Sequence, residues 1–402
     1  MTFSANRVAV IAALLAGGCA LALGGVPAAA DRLAPAPAGV TISEFYGVSC
    51  TSPTACTAVG SSSRRGVAAA LVERWNGTKW TIQPTPKPAG ATSSSLNGVS
   101  CTSPTACTAV GSSGRARFAA PLAERWNGKK WTVQRAPKPA GAIAAVLNGV
   151  SCTSPTACTA VGSFNYARSL AERWNGKKWT VQRTPRPAGA VYRYTFLNSV
   201  SCTSRTACTA VGESDTGLAF KGRNITYLAL AERWNGKKWA IQRTPRPAAP
   251  AETFFYGALC TSRTACIAVG YTFPADTVAV VLVQKWNGAK WTVQPAPSPS
   301  GEVPAEFSSV SCTSPTACTA VGDASPEGFE LLAERWNGAT WTMQPTPKPT
   351  GEFYAALYGV SCTSPTTCIA VGQANNGAGA AQALLAERWN GSTWTIQHTP
   401  AP

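Results

Sequence analysis

The chain has 402 residues, 45% of them apolar and only 13% charged, with 35 Lys and Arg against 18 acids and a formal charge of +17. That is too apolar for a disordered basic tail, it contains no blocks of like charge, and it is long enough to bury a large core. One His (His398) and four Asp (Asp31, Asp215, Asp276 and Asp323) leave little for acid–base or metal chemistry. The composition tilts against an enzyme and implies no cofactor and no metal.

The N-terminus reads as an address. Arg7 sits in a short positive region, Val8 to Leu23 is apolar but broken by Gly17 and Gly18, and Ala28-Ala29-Ala30 forms an A-x-A cleavage pattern. Residues 1–30 therefore read as a secretory signal, followed by a short segment over 31–40. No other run approaches the roughly 20 apolar residues of a membrane span. Export to the medium or wall is expected. The alternative is a lipid anchor on Cys19, although Ala16 stands where a large aliphatic residue is expected. Cleavage after Ala30 removes Arg7 and Cys19, leaving 14 Cys and a charge of +16.

From residue 41 onward the chain repeats. The phrase V-S-C-T-S-P-T-A-C-T-A-V-G is followed by a variable stretch, then L-A-E-R-W-N-G-K-K-W-T-V-Q, then T-P-K-P. Its Cys pairs are Cys50/Cys56, Cys101/Cys107, Cys152/Cys158, Cys202/Cys208, Cys260/Cys266, Cys312/Cys318 and Cys362/Cys368, so successive repeats start 51, 51, 50, 58, 52 and 50 residues apart. Seven units consume every remaining Cys and all 14 Trp.

Each unit predicts four short strands. Strand a ends at V-S-C, a five-residue turn follows, and strand b is C-T-A-V-G. Strand c is L-A-E-R-W, Asn-Gly marks a tight hairpin, and strand d is W-T-V-Q. T-P-K-P cannot continue a ladder. No helical period appears. Four strands in about 50 residues point to an all-β, seven-bladed β-propeller over 41–402 with four antiparallel strands per blade. A flat stack of β units is the alternative. Because the repeats start at strand a and end at strand d, closure is expected from blade packing, not from an interlocked last blade.

These phrases resemble those of secreted actinobacterial β-propeller repeat proteins, over about residues 41–398. A more distant resemblance is to Asp-box (sialidase-type) blades. Gly128-Lys129-Lys130-Trp131 matches the end of that box, but Trp126 and Glu124 replace its Asp and Ser, so sialidase chemistry does not carry over.

Within each repeat, Cys50 and Cys56 face each other across a hairpin, and in an exported protein this predicts one disulfide per blade. C-x5-C is a poor zinc spacing, and one His cannot serve seven sites. The Trp pairs invite a sugar-platform reading, but identical placement in every blade favours inter-blade core. Phe45, Leu96, Leu147, Leu197, Phe255, Phe307 and Leu357 share one equivalent position and are also expected in the core. In L-A-E-R-W, Glu and Arg point to opposite faces of the strand. Glu124 is therefore expected to meet Arg74 or Arg173 of a neighbouring blade. The fifth blade departs from the pattern with Gln284-Lys285 and Ala258-Leu259-Cys260.

The a–b and c–d turns share one face and are nearly uniform. The b–c loops and d–a connections share the other face and vary from repeat to repeat. Apart from Phe3, every Phe and Tyr lies in these variable segments or their junctions with strand a. A uniform scaffold with one individual, aromatic face is the pattern of a binding surface. Tyr166, Tyr192, Arg193, Tyr194, Tyr227, Tyr271, Asp276 and Tyr354 are the candidate ligand-binding residues. Filling gaps between blades is the competing role for each.

The pairs Lys129-Lys130, Lys177-Lys178 and Lys237-Lys238 decorate c–d turns, while Lys138, Arg186 and Arg246 lie in the Pro linkers. This positive belt could attract an anionic polymer. Edge protection and solubility are the preferred explanation. No nucleic-acid motif is present.

The reading that follows is a secreted, non-catalytic, lectin-like binding protein. Its partner would be a glycan or an anionic wall polymer, engaged alone or within a secreted complex with a protein partner. A protein–protein scaffold and a carbohydrate-active hydrolase or lyase are the alternatives. For the last, Glu213, Asp215, Asp276, Asp323, Glu327 and Glu330 are rim acids without a diagnostic pair spacing.

Overall fold

The computed structural model describes residues 41–114, 118–188, 194–215, 226–246, 251–274, 278–299, 303–324, 330–351, 354–375 and 383–402. The segment read as a signal peptide, together with Tyr192, Arg193, Asp276 and Glu327, lies outside the described residues.

The first blade consists of β1 (Thr41–Ser52), β2 (Ala55–Arg64), β3 (Val67–Trp75) and β4 (Trp80–Ile82), hydrogen-bonded in that order. Six more antiparallel sheets with the same four-strand order follow, giving 28 strands in seven blades among the described residues. Strand a of each blade touches strand a of the next, and β1 touches β25 (Tyr354–Ser364), which closes the ring. Strand a is thus innermost and strand d outermost. All four strands of blade 1 come from the N-terminal repeat, so closure uses no exchanged strand. No helix among the described residues is long and apolar enough to cross a membrane.

Strand b is sandwiched between neighbouring blades on both faces, and it is built from small residues for that reason. Cys56 to Gly60 are all buried. Each core cluster spans two blades: Val59 and Val72 of blade 1 pack with Leu96, Ala109 and Trp126 of blade 2. The Trp pairs are 3–8% exposed, and Trp75 faces Trp80 directly across the c–d hairpin, so they are inter-blade core as expected. Strand a carries a bulge between Phe45 and Gly47, which pushes its backbone toward strand b. A Cβ on Gly60 would sit 1.8 Å from the Glu44 carbonyl oxygen, so this repeat position has no room for a side chain.

All seven disulfides form, each within its own blade: Cys50–Cys56, Cys101–Cys107, Cys152–Cys158, Cys202–Cys208, Cys260–Cys266, Cys312–Cys318 and Cys362–Cys368. This is the one-per-blade hairpin pairing expected from the sequence, and the structure adds how deeply each pair is buried. The second Cys of every pair (Cys56, Cys107, Cys158, Cys208, Cys266, Cys318 and Cys368) is buried in the core, while its partner on strand a is only half-buried. The reason is that strand b lies between two blades. Thr57 of blade 1 places its hydroxyl 3.7 Å from Cys107 Sγ, and Thr108, Thr159 and Thr209 stand 3.6 Å from Cys158, Cys208 and Cys266. Cys318 packs in the joint between blades 5 and 6 with Ile267 and Trp336. These cysteines are therefore inter-blade core.

Three further local expectations need correction. The a–b turn is not five residues long, because pairing resumes at Ser52↔Ala55. The Asn-Gly pair is not a two-residue hairpin. It opens a four-residue turn in which the Asn76 Oδ1 accepts from the Thr78 and Lys79 backbone N–H groups and only Gly77 of the pair has a positive φ. The side-chain acceptor replaces what a primed turn would otherwise supply. Finally, much of what reads as variable b–c loop is strand. In blade 3 the pairing runs out to Phe164↔Arg168 and leaves only a short turn.

The expected Glu–Arg bridges do not form. Arg74 instead lies over the Trp126 ring of the next blade, 4.9 Å from its centroid, and donates to the Pro104 carbonyl at 2.6 Å. Arg173 and Arg233 do the same over Trp234 and Trp286. The planar guanidinium gains a ring face and a turn carbonyl in one pose, a contact worth about 0.5–1 kcal/mol where it is exposed. Glu124 points into the opposite joint, toward the preceding blade. It is fully buried, and neither carboxyl oxygen has a hydrogen-bond partner. Glu73, Glu172, Glu232, Glu334 and Glu387 repeat this environment, and burial raises each of the six to about 8. These groups are held as neutral acids at neutral pH. Blade 5 has Gln284 there, whose Nε2 donates to the Pro245 carbonyl of the preceding linker at 2.9 Å.

Candidate functional site

The bulge in strand a creates the site. It inserts one extra residue directly after the core position, and a bulge re-aims the side chain it carries. In chain order the inserted residues are Tyr46, Asn97, Asn148, Asn198, Tyr256, Ser308 and Tyr358. All seven line a cavity of about 730 Å³ on the ring axis. The ends of strand b add Ser112, Ser163, Glu213, Tyr271 and Phe273, so the cavity opens toward the variable face.

Three inserted Asn side chains rivet the wall. Asn97 and Asn148 donate to the Leu147 and Leu197 carbonyls of the next blade, each at 3.0 Å. Asn198 donates to the Phe255 carbonyl at 2.9 Å and to Glu213 Oε2 at 2.7 Å. The wall is therefore preorganised.

Of the sequence-selected residues, Tyr166, Tyr194, Tyr227 and Tyr271 all converge on this funnel. Tyr354 is not part of its lining, but its hydroxyl lies 3.3 Å from that of Tyr358, which is. Tyr227, Phe254, Tyr271 and Tyr256 form an aromatic cluster, with Phe254 stacked on Tyr271 at 4.7 Å. Tyr166 stands at the blade 3 turn with φ 57° and Asn165 with φ 49°. A left-handed conformation costs a non-glycine residue about 1–2 kcal/mol. Blade 1 has Gly66 in the matching turn.

The funnel is acidic within a basic protein. Glu213 and Glu252 line it and are 9% and 4% exposed. Burial pushes Glu213 up to about 8, against the opposing Asn198 hydrogen bond. Glu44 is also raised by burial, partly offset by its bond with Tyr46. Burial, followed by Tyr194 and the charges of Glu213, Asp215 and Glu252, pushes the Tyr227 hydroxyl up to about 12. Tyr271 and Tyr358 are raised too, chiefly by burial. These hydroxyls remain protonated donors. Among the described residues the lining contains no Lys, Arg or His.

Of the other rim acids, Asp215 and Asp323 are buried, and Asp323 faces Glu306 across strands a and b of blade 6. Glu330 is exposed at the start of its strand c. Sequence reasoning missed the inserted position and the acids Glu44, Glu252 and Glu306. A signal was present: the residue after Phe45, Leu96 and their equivalents is always polar or Tyr, yet it differs among repeats. A second cavity, of about 1290 Å³, lies between blades 4 and 5, beside Ile241, Arg243 and Trp291. Residues 189–193 and 247–250 lie outside the described residues. Among the described residues no three His, Cys, Asp or Glu side chains gather as a metal site.

No protein-family model matches the chain, and no curated protein matches it. Solved propellers do. A PL25 ulvan lyase bound to an oligosaccharide is 8% identical over 88% of this chain and 95% of its own, with a TM-score of 0.55. YCF48 from Cyanidioschyzon merolae is 13% identical over 88% of this chain and 98% of its own, with a TM-score of 0.51. YCF48 bound to a D1 peptide is also 13% identical, over 90% of this chain and 95% of its own, with a TM-score of 0.51. At these identities the likeness establishes the propeller fold.

Proposed function

We propose that this protein is a non-catalytic, lectin-like binding module that takes an uncharged glycan into the axial funnel. The observation that carries this reading is the convergence of Tyr rings, Asn amides and carboxyl groups on one preorganised cavity without a cationic side chain. Tyr faces stack on the apolar faces of sugar rings, while Tyr hydroxyls and carboxyls bond sugar hydroxyls. The solved neighbours include one propeller with a bound oligosaccharide and one with a bound peptide, so both ligand classes fit the fold.

The chemistry of the lining favours binding over turnover of an acidic polysaccharide. A lyase acting on a uronate needs a cation to neutralise the carboxylate and a base to take the α-proton. Here the described lining offers no cation, and the hydroxyls of Tyr227, Tyr271 and Tyr358 are raised, not lowered.

A glycan array with the oxidised protein at low and high salt tests the reading. We expect binding to an uncharged glycan that survives high salt and weakens at least about tenfold in Tyr227→Ala and Glu213→Gln. Binding confined to peptides would replace it with the protein-scaffold reading. Release of reducing ends or unsaturated products, abolished in Glu213→Gln, would replace it with an enzyme.

A further inference from the structure

The cations are not spread evenly around the ring. Blade 3 carries Lys177 and Lys178 on the c–d turn and Arg183 and Arg186 just beyond strand d, all exposed. Blades 2 and 4 repeat the row at the same positions, from Lys129 to Lys138 and from Lys237 to Arg246. Blade 6 has Ala339, Thr340, Pro345 and Lys348 at those positions, and blade 7 has Ser392, Thr393, His398 and Ala401. No Asp or Glu falls within 127–142, 175–188 or 235–246. At the joints flanking blade 4, Arg205 and Arg263 replace the turn proline of other blades, and both are exposed.

Edge protection does not account for this. The outer strand is equally exposed in blades 6 and 7, where it is three residues long and followed by proline-containing linkers. Shortness and proline guard those edges without lysine. The fold therefore does not require the charge in blades 2–4, which forms a one-sided basic arc on the perimeter, separate from the acidic funnel.

We propose that this arc is a second binding surface, for a flexible linear phosphodiester polymer of the wall-polymer type. Three rows of cations, each flanking the outermost strand of its blade on a convex rim, suit a chain that can bend from blade to blade, which neither a flat bilayer nor a stiff duplex does. The Trp side chains of strands c and d beneath the arc are buried, so the surface offers no ring on which a base could stack. Recognition is by backbone charge alone.

Poly(glycerol phosphate) binding to the full oxidised protein, followed across a salt series, tests this proposal. The variant Lys177→Ala, Lys178→Thr, Arg183→Pro, Arg186→Ser installs residues found at these positions in blades 5 and 6, so the edge keeps a sequence the fold already accepts. We expect affinity at low salt to fall at least about tenfold. The log K against log salt slope should shrink by about 2 to 3, at roughly 0.7 per phosphate contact. Removing four cations elsewhere (Lys79→Thr, Lys87→Ala, Lys290→Thr, Lys348→Ser) should cost less than about threefold. The funnel variant Tyr227→Ala should leave polymer binding unchanged, so this surface and the glycan site fail independently. Equal losses in both charge variants, tighter binding to single-stranded DNA or to phosphatidylglycerol vesicles, or no polymer binding would each overturn the proposal.

Discussion

The backbone N–H of Cys50 donates to Ser361 Oγ at 2.9 Å, joining the first blade to the last across 311 residues of chain. The same bond recurs between neighbouring blades, as from Cys101 to Ser49 and from Cys152 to Ser100. It ties strand a of one blade to strand a of the next, beside the disulfide that locks each a–b turn. At the joint between blades 5 and 6, Leu259 replaces the Ser, so that joint lacks the acceptor.

Ser361→Ala should therefore weaken ring closure. A lost hydrogen bond that leaves a partly buried N–H unsatisfied costs about 1 kcal/mol. Denaturant unfolding should show this loss, with a similar one for Ser100→Ala. Leu259→Ser should supply an acceptor for the Cys312 N–H, offset by the loss of Leu259 packing against the core between blades 5 and 6. A neutral Ser361→Ala would mean that the joint rests on side-chain packing alone.

Reduction should destabilise every blade. Each disulfide closes a short loop and contributes about 2 kcal/mol under the chain-entropy model. The oxidised protein should lose the mass of fourteen thiol hydrogens, and its melting temperature should fall in reductant. Because Cys56, Cys107 and their equivalents are buried between blades, reduction should be slow in the folded ring and fast once it is unfolded.

The buried glutamates make stability depend on pH. Their carboxyls sit near 8 in the folded protein, well above the unfolded value of about 4.3. Between these values the unfolded chain releases protons that the folded chain retains, so stability is full below about pH 4 and declines as pH rises through 8. Melting temperatures at pH 5 should exceed those at pH 8.5. Glu124→Gln should flatten the profile and raise stability at the alkaline end, because Gln284 already fills the equivalent site with a donated hydrogen bond. A profile unchanged by Glu124→Gln would show that this carboxyl ionises freely in the fold.

Tyr166→Gly should separate stability from binding. It relieves a left-handed residue and copies the Gly66 turn of blade 1, so unfolding should become harder by about 1 kcal/mol. It also removes a ring from the funnel, so glycan affinity should fall. Reduced stability would mean that Tyr166 packs more than it strains.

Much of the fold was legible in the chain. The period, the blade count, the four strands and the seven Cys pairs are local or repeating features, and repetition makes each one visible seven times. The pairing of Cys101 with Cys107 could be read from spacing, but the burial of Cys107 against the preceding blade could not. Strand c could be read from L-A-E-R-W, but the partners of its Glu and Arg could not. Those partners depend on which face of one blade meets which face of the next, and that is settled only when the blades stack. Arg74 found a Trp and a carbonyl, and Glu124 found no partner. The candidate site divides along the same line. The aromatic variability around Tyr166, Tyr194, Tyr227 and Tyr271 could be read in one dimension. Their meeting at the axis with Glu213, Glu252 and the inserted Tyr46 and Tyr358 required ring closure, because these groups come from blades at opposite ends of the chain. The same holds for the basic arc: lysine pairs are visible in sequence, but only the ring makes blades 2–4 one continuous rim.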